Sequence, residues 1–303
     1  MQFILTILFF LFFVSINGEA QKALNMSHYM HNQYAVNSAF GGSREVMTAY
    51  GAYRNQWGNL PGSPEALFFS MHAPLKNENV ALGGSFFNEE FTIVKNRGLS
   101  LSYTYRVKTV NKRWLAFSLS GGFSSSTTNY KDVNLIDPSD PLFGNNESGI
   151  SPGLSFGTAY YGDNFFLGIS IRDLFYNTPF EEGSPFFEPS KTDYNFTGGY
   201  FYRFSESVGI QPSLLVNYNP DYQTTTDYSA TLFLYDLLWV GATYRSNKEL
   251  VGLLGFQLTR GLRFAYSYDL AMGELGNMNN GSHEFSLQFD FGFEIDVVNP
   301  KFF

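Results

Sequence analysis

Residue types able to do chemistry stand at only a few places in this chain. Ser282-His283-Glu284 supplies a hydroxyl, an imidazole and a carboxylate, the three groups of a nucleophile relay. Such a relay is set by spatial geometry, and successive residues of an extended strand point to opposite faces. Adjacent in sequence, these three cannot converge on one substrate bond, so the triplet reads as structural. His28 and His31 have the spacing of two ligands on one helical face, but no third donor accompanies them. Asp132, Asp137, Asp140, Asn145 and Asn146 offer oxygens of the kind calcium takes, without calcium-loop spacing, and read as a solvated loop. The sequence carries no cofactor motif. Arg54, Asn55 and Gln56 beside Trp57 could contact a partner, or bond the backbone of their own loop end. His72 and His283 lie on or beside strand-like segments, where hydrogen bonding inside a barrel is the expected role. With no nucleophile singled out, the expected mode of action is binding, not catalysis.

The elements that would position these residues are written in alternation. From Phe285 to Asp296 the odd positions read Phe, Leu, Phe, Phe, Phe, Ile, and the even ones Ser, Gln, Asp, Gly, Glu, Asp. Leu101, Tyr103, Tyr105 and Val107 interleave with Ser102, Thr104, Arg106 and Lys108 in the same way, as do 208–218 and 262–270. Period two with aromatic and β-branched enrichment is the signature of strands. It also explains a chain with 33 Phe and 20 Tyr whose mean hydropathy is only −0.14. Charged residues make up 15%, without any basic run, which argues against nucleic acid as a partner. Cysteine is absent, so disulfides and thiolate metal sites are excluded.

Strand-like segments lie near 45–54, 66–73, 79–88, 99–109, 113–123, 151–161, 164–171, 193–203, 207–218, 226–235, 237–246, 249–259, 261–270 and 283–295. That is about fourteen, many near the ten-residue length of a tilted membrane-crossing strand. Longer links follow the odd-numbered segments (55–65, 89–98, 124–150, 172–192, 219–225, 271–282), the link at 247–248 excepted. Tight ones follow the even-numbered segments. Loops on one rim and short turns on the other describe an all-β, antiparallel, up-and-down outer-membrane barrel whose short turns are periplasmic. Phe285, Leu287, Phe289 and Phe291 then face lipid, with Asp290 and Glu294 in the lumen. On that reading Phe289→Arg blocks assembly and Asp290→Asn is tolerated. Tyr53, Trp57, Trp114, Tyr160, Tyr161, Trp239 and Tyr244 stand where interfacial aromatic girdles would form.

The ends are read separately. The apolar run Phe3–Val14 is too short to span a bilayer, and Gly18 and Ala20 suit a signal-peptide cleavage site, so residues 1–20 are expected to be removed. Residues 21–44 do not alternate and are expected to be a periplasmic segment, with the barrel over 45–296 and a tail over 297–303. Both termini then fall in the periplasm. Pro300 should break strand pairing, which makes the tail a candidate periplasmic dock.

Particular stretches carry a resemblance. They are YMHNQYAVNSAFGGSR at Tyr29–Arg44, YRNQW at Tyr53–Trp57, GSPEALFFSMHAPL at Gly62–Leu75, GSHE at Gly281–Glu284, and the closing VVNPKFF. Together they resemble the PorP/SprF family, membrane proteins linked to type IX secretion and gliding in Bacteroidetes, over essentially all of 21–303. The matching positions are Tyr29, Met30, Asn32, Asn37, Gly42, Ser43, Arg44, Arg54, Asn55, Gln56, Trp57, Pro64, His72, Pro74, Gly281, His283, Glu284, Pro300 and Phe303. Ser38 departs from the family's usual proline, and the tail reads Asn-Pro-Lys-Phe in place of Ser-Pro-Arg-Tyr. The resemblance implies a non-enzymatic outer-membrane barrel, embedded in outer-membrane lipid, that helps deliver or anchor secreted adhesin-like proteins. It also implies type IX components as partners and, in some members, a periplasmic peptidoglycan-binding lipoprotein. From the strand count alone, a diffusion channel or small-molecule transporter is the alternative. Barrels of about eight strands are filled by side chains and those of sixteen to eighteen hold a water channel.

Overall fold

In a computed structural model, the chain forms fourteen antiparallel strands closed into one ring. The structure describes residues 26–58, 60–130, 146–172, 192–220, 222–272 and 280–292. The strands are β1 Met47–Asn55, β2 Glu65–Pro74, β3 Val80–Phe91, β4 Val94–Lys108, β5 Trp114–Thr128, β6 Glu147–Tyr161 and β7 Phe165–Arg172. They continue as β8 Asp193–Tyr200, β9 Val208–Asn219, β10 Tyr222–Leu234, β11 Leu238–Arg245, β12 Glu249–Gln257, β13 Leu262–Ala271 and β14 Ser282–Phe291. A two-residue piece, Tyr202–Arg203, prolongs β8 along β9. Each strand pairs with its sequence neighbours, and β1 pairs with both β2 and β14, so no edge is left open. The signal-peptide residues, the tail with Pro300 and Phe303, Glu294, and loop residues Asp132, Asp137, Asp140 and Asn145 lie outside the described residues.

Alternation sorts the two faces. On β4, Leu99, Leu101, Tyr103, Tyr105 and Val107 point outward, while Ser102, Thr104 and Arg106 are buried inside. On β14, Phe285, Leu287, Phe289 and Phe291 point outward, while Ser286 and Gln288 are buried and Asp290 faces the interior. A hydrocarbon surround demands this arrangement, because every backbone polar group must find its partner within the ring. Of the candidate girdle aromatics, Tyr53 and Tyr244 face outward. Trp114, Tyr161 and Trp239 do not: they are buried in the interior.

Three corrections concern where the chain runs. Residues 89–98, expected as a long link, are strand on both sides of a two-residue turn at Thr92-Ile93, in register as Glu90↔Lys95 and Phe91↔Val94. Their polar composition imitates a loop because β3–β6 run past the apolar band. The distal residues Ser124–Thr128 of β5 also lack its alternation. The link at 219–225 shrinks likewise, because β10 begins at Tyr222. The largest correction is the segment expected to hang in the periplasm. Residues 26–46 lie inside the ring, descending from the loop end to the start of β1, with a short helix at Gln33–Val36 and a 3-10 turn at Ser38–Phe40. Its Tyr29, Met30, Tyr34, Ala39 and Phe40 are buried against inward-facing wall residues, which a solvent-exposed segment would not allow.

The facing predicts a sharp asymmetry. Phe289 stands near the turn end of β14, where a charge is cheaper, so Leu287 at mid-strand is the better probe. Leu287→Arg should cost about 2–4 kcal/mol at mid-depth and abolish the heat-modifiable, folded form in outer-membrane fractions. Equal folded yield for Leu287→Arg and wild type would refute the outward assignment.

Candidate functional site

The interior is built from side chains that alternate with the lipid face, so its chemistry is that of the polar half of each strand. At the loop end, six strands contribute charges to one buried cluster. Arg54 of β1 donates to Asp269 of β13 at 2.7 Å and to Glu284 of β14 at 3.2 Å. Arg245 of β11 pairs with Asp227 of β10 at 3.0 Å and with Glu249 of β12 at 2.6 Å. Asp269 lies 3.6 Å from Arg245 and thereby joins the two halves. All six side chains are nearly or wholly buried. Breaking such a pair leaves an uncompensated buried charge, typically at a cost of about 3–5 kcal/mol.

The luminal segment completes this cluster. The Ser27 amide donates to Glu284 Oε2 at 2.7 Å, the Ser27 hydroxyl donates to Asp269 Oδ2 at 2.8 Å, and the His28 amide donates to Glu284 Oε1. Below it, the Tyr29 hydroxyl bonds Ser213 and Ser229, and the Tyr34 hydroxyl bonds Ser102 at 2.7 Å. Asn32 reaches Ser70. Asn37 donates to the carbonyls of Thr158 and Ile169, and its own oxygen caps the 3-10 turn through the Ala39 amide. At the turn end, Gly42 donates its amide to His72 Nδ1 and accepts from Arg106. Arg44 grips Asp290 through two bonds, at 2.9 and 2.6 Å, and Thr48 donates to the same carboxylate. Asp290 is therefore a clamp and not an idle luminal charge, which removes the ground for expecting Asp290→Asn to be tolerated.

The wall is shaped for this segment. Gly83, Gly157 and Gly168 sit on the inner face, where a Cβ would strike the Tyr34 hydroxyl, the Asn37 side chain and the Phe40 ring respectively. Gly42 takes a left-handed φ of 73°, and a Cβ there would meet Ala81 at 2.8 Å. The Phe40 ring packs between Tyr161 and Phe166.

Of the residues singled out in the sequence, Tyr29, Met30, Asn32, Asn37, Gly42, Ser43, Arg44, Arg54, His72 and Glu284 come together in this filled lumen. A second group meets at the loop rim. Gln56 donates its amide to the Pro64 carbonyl, Trp57 to Ser282 Oγ, and Gly58 to the Gly281 carbonyl, while Asn55 bonds Glu65. For Gln56 and Trp57 this is the loop-end reading; Arg54 belongs to the interior. His283 is not luminal: it stands on the outer face, bonded to Tyr266 and packed on Tyr268. Pro74 closes β2 at the turn end. Sequence reasoning missed Asp227, Arg245, Glu249 and Asp269. Their signal was a charge at inward parity within an otherwise alternating strand. No group of three or more His, Cys, Asp or Glu side chains placed to hold a metal ion occurs among the described residues.

A family model described as "type IX secretion system membrane protein PorP/SprF" matches residues 18–289. The chain belongs to the PorP/SprF family. It is thus an outer-membrane barrel associated with type IX secretion. The match takes in both the luminal segment and nearly the whole ring. A search of curated proteins found no match. Among solved structures, the chain is similar to the outer membrane protein Omp33 of Acinetobacter baumannii, at 12% identity and a TM-score of 0.45, covering 81% of this chain and 98% of that one. It is also similar to the toluene transporter TbuX of Ralstonia pickettii, at 8% identity and a TM-score of 0.49, covering 87% and 93%.

Burial sets the protonation of the luminal segment. It pushes the Tyr29 phenol up to about 12, keeping it a hydrogen-bond donor. It lowers the His28 imidazole, against the nearby Glu284 and Asp269 charges, and lowers His31 well below the usual histidine range, with His28, Arg263 and Arg44 adding to the effect. A depressed histidine favours the seated state above the unperturbed pKa of about 6.5 and opposes it as pH falls below that value. Amide exchange over residues 27–42, corrected for intrinsic rates, should therefore be roughly tenfold or more faster at about pH 5.5 than at about 7.5. A His31→Phe variant should show a smaller difference. Equal protection at both pH values would contradict the assignment of neutral, buried histidines.

Proposed function

We propose that this PorP/SprF protein acts by binding: it receives or retains secreted adhesin-like proteins at the cell surface, without catalysing a reaction and without conducting solutes. The filled lumen carries the reading. A ring of this size has room for an aqueous path, yet residues 26–46 occupy it from the loop end to the turn end, bonded to the wall throughout. What remains available to a partner is the exterior. The polar distal ends of β3–β6 stand beyond the apolar band on the loop side and offer paired backbone with Ser, Thr and charged side chains. On the other side, Lys108 at the end of β4 and Lys112 and Arg113 of the turn after it are placed to meet type IX components or a periplasmic lipoprotein. Family membership supports the secretion context; delivery or anchoring of adhesins, and a part in gliding, are our reading.

Deleting the gene should remove one or a few large adhesin-like proteins from the surface proteome and impair attachment or gliding, while the purified barrel carries no steady current in planar bilayers. An unchanged surface proteome together with a steady conductance would replace this reading with the channel.

A further inference from the structure

The turn end of the lumen holds an unfilled requirement for an acceptor. Between His31 of the luminal segment and strands β10–β14 and β1 lies a cleft of about 30 Å³, lined by Tyr50, Trp239, Arg263, the short-turn residue Asp236 and Gln257 at the end of β12. A water-sized group takes roughly 10–15 Å³ of such space, so the cleft admits two oxygen-sized atoms side by side. The polar atoms around it are unmatched. Trp239 Nε1 and His31 Nε2 are both buried without a hydrogen-bond partner. Arg263 gives its Nε to Gln257 Oε1 at 2.6 Å, and its two Nη nitrogens find no acceptor among the described residues. The indole and the guanidinium can only donate, and the buried indole N–H is left without an acceptor.

Charge points the same way. The luminal turn end contains Arg44, Arg106 and Arg263 against Asp290. Arg44 and Thr48 occupy the Asp290 carboxylate, and Arg106 is taken up by the carbonyls of Gly42 and Glu78. The Asp236 carboxylate, which also borders the cleft, is held by Arg203 at 2.9 Å. Arg263 therefore shares the single Asp290 charge with Arg44, which leaves positive charge in excess beside the cleft. We propose that this cleft is a carboxylate site reached from the short-turn side, with Arg263 supplying the charge and Trp239 the directional bond. The planar, two-oxygen shape of a carboxylate suits a guanidinium face better than a single water does. Either a free small acid or the carboxylate of a peptide chain supplies that chemistry.

The test uses Trp239 as the reporter. Trp57→Phe and Trp114→Phe leave it the only tryptophan of the chain. The folded barrel in detergent, verified by heat-modifiable mobility, is titrated with sodium acetate at constant ionic strength, and in parallel with the neutral isostere acetamide. We expect a saturable change in Trp239 emission with acetate and none with acetamide. Arg263→Gln should weaken the apparent affinity at least tenfold, with Arg263→Lys in between. A second arm compares diglycine with diglycine amide. Saturation by the acid alone assigns the site to chain termini as well as free acids, whereas acetate binding without diglycine binding confines it to free small acids. A non-saturating response to acetate, or equal responses to acetate and acetamide, overturns the proposal. That comparison stands even where the Arg263→Gln barrel fails to fold.

Discussion

Closure is the constraint from which the rest of this molecule follows. A chain in hydrocarbon must pair every backbone polar group, and the pairing of β1 with β14 satisfies it by removing both sheet edges. Closure with fourteen strands has a consequence, however. It encloses an interior too wide for wall side chains alone to fill. The chain meets that consequence with its own residues 26–46, and the wall is adapted to them: small residues where the segment presses closest, hydroxyls where it offers a phenol or an amide, a carboxylate where Arg44 arrives. The lipid face needs only apolar bulk. The inner face has to match a particular segment atom by atom.

The segment is held hardest at its two ends, and by opposite charge. The loop end gathers four carboxylates around Arg54 and Arg245, with backbone amides of Ser27 and His28 meeting the excess negative charge. At the turn end Arg44 grips Asp290, Arg263 shares that charge, and Arg106 holds the Gly42 carbonyl. Between them the contacts are neutral hydrogen bonds and ring packing. A segment anchored in this way behaves as part of the barrel.

Much of the ring was legible in the sequence. All fourteen strands appear where alternation placed them, and the inward parity of Asp290 was correct. Parity could be read because a lipid face tolerates almost nothing but apolar residues, so the signal repeats along every strand. The interior was harder to read. Residues 29–44 have no period, and Tyr34, Asn37 and Phe40 acquire meaning only from Gly83, Gly157 and Gly168, which lie tens of residues away in sequence. Residues 89–98 failed for a different reason: above the apolar band, paired strand and free loop share the same polar composition. His283 stood on the outer face because the band ends before β14 does, so a polar side chain at outward parity meets the interface and not the lumen.

Residues 26–46 fill the lumen of the assembled protein, and a chain without cysteine allows this to be tested directly. Asn37→Cys paired with Gly157→Cys places one thiol on the segment and one on the facing wall, at positions in direct contact. Oxidation of intact cells should yield the internal disulfide in the outer-membrane form, seen as a reduction-sensitive mobility shift, with the segment's thiol closed to bulky maleimides. Failure of the disulfide to form, with the segment's thiol freely labelled in the folded barrel, would place the segment outside the lumen and contradict the account.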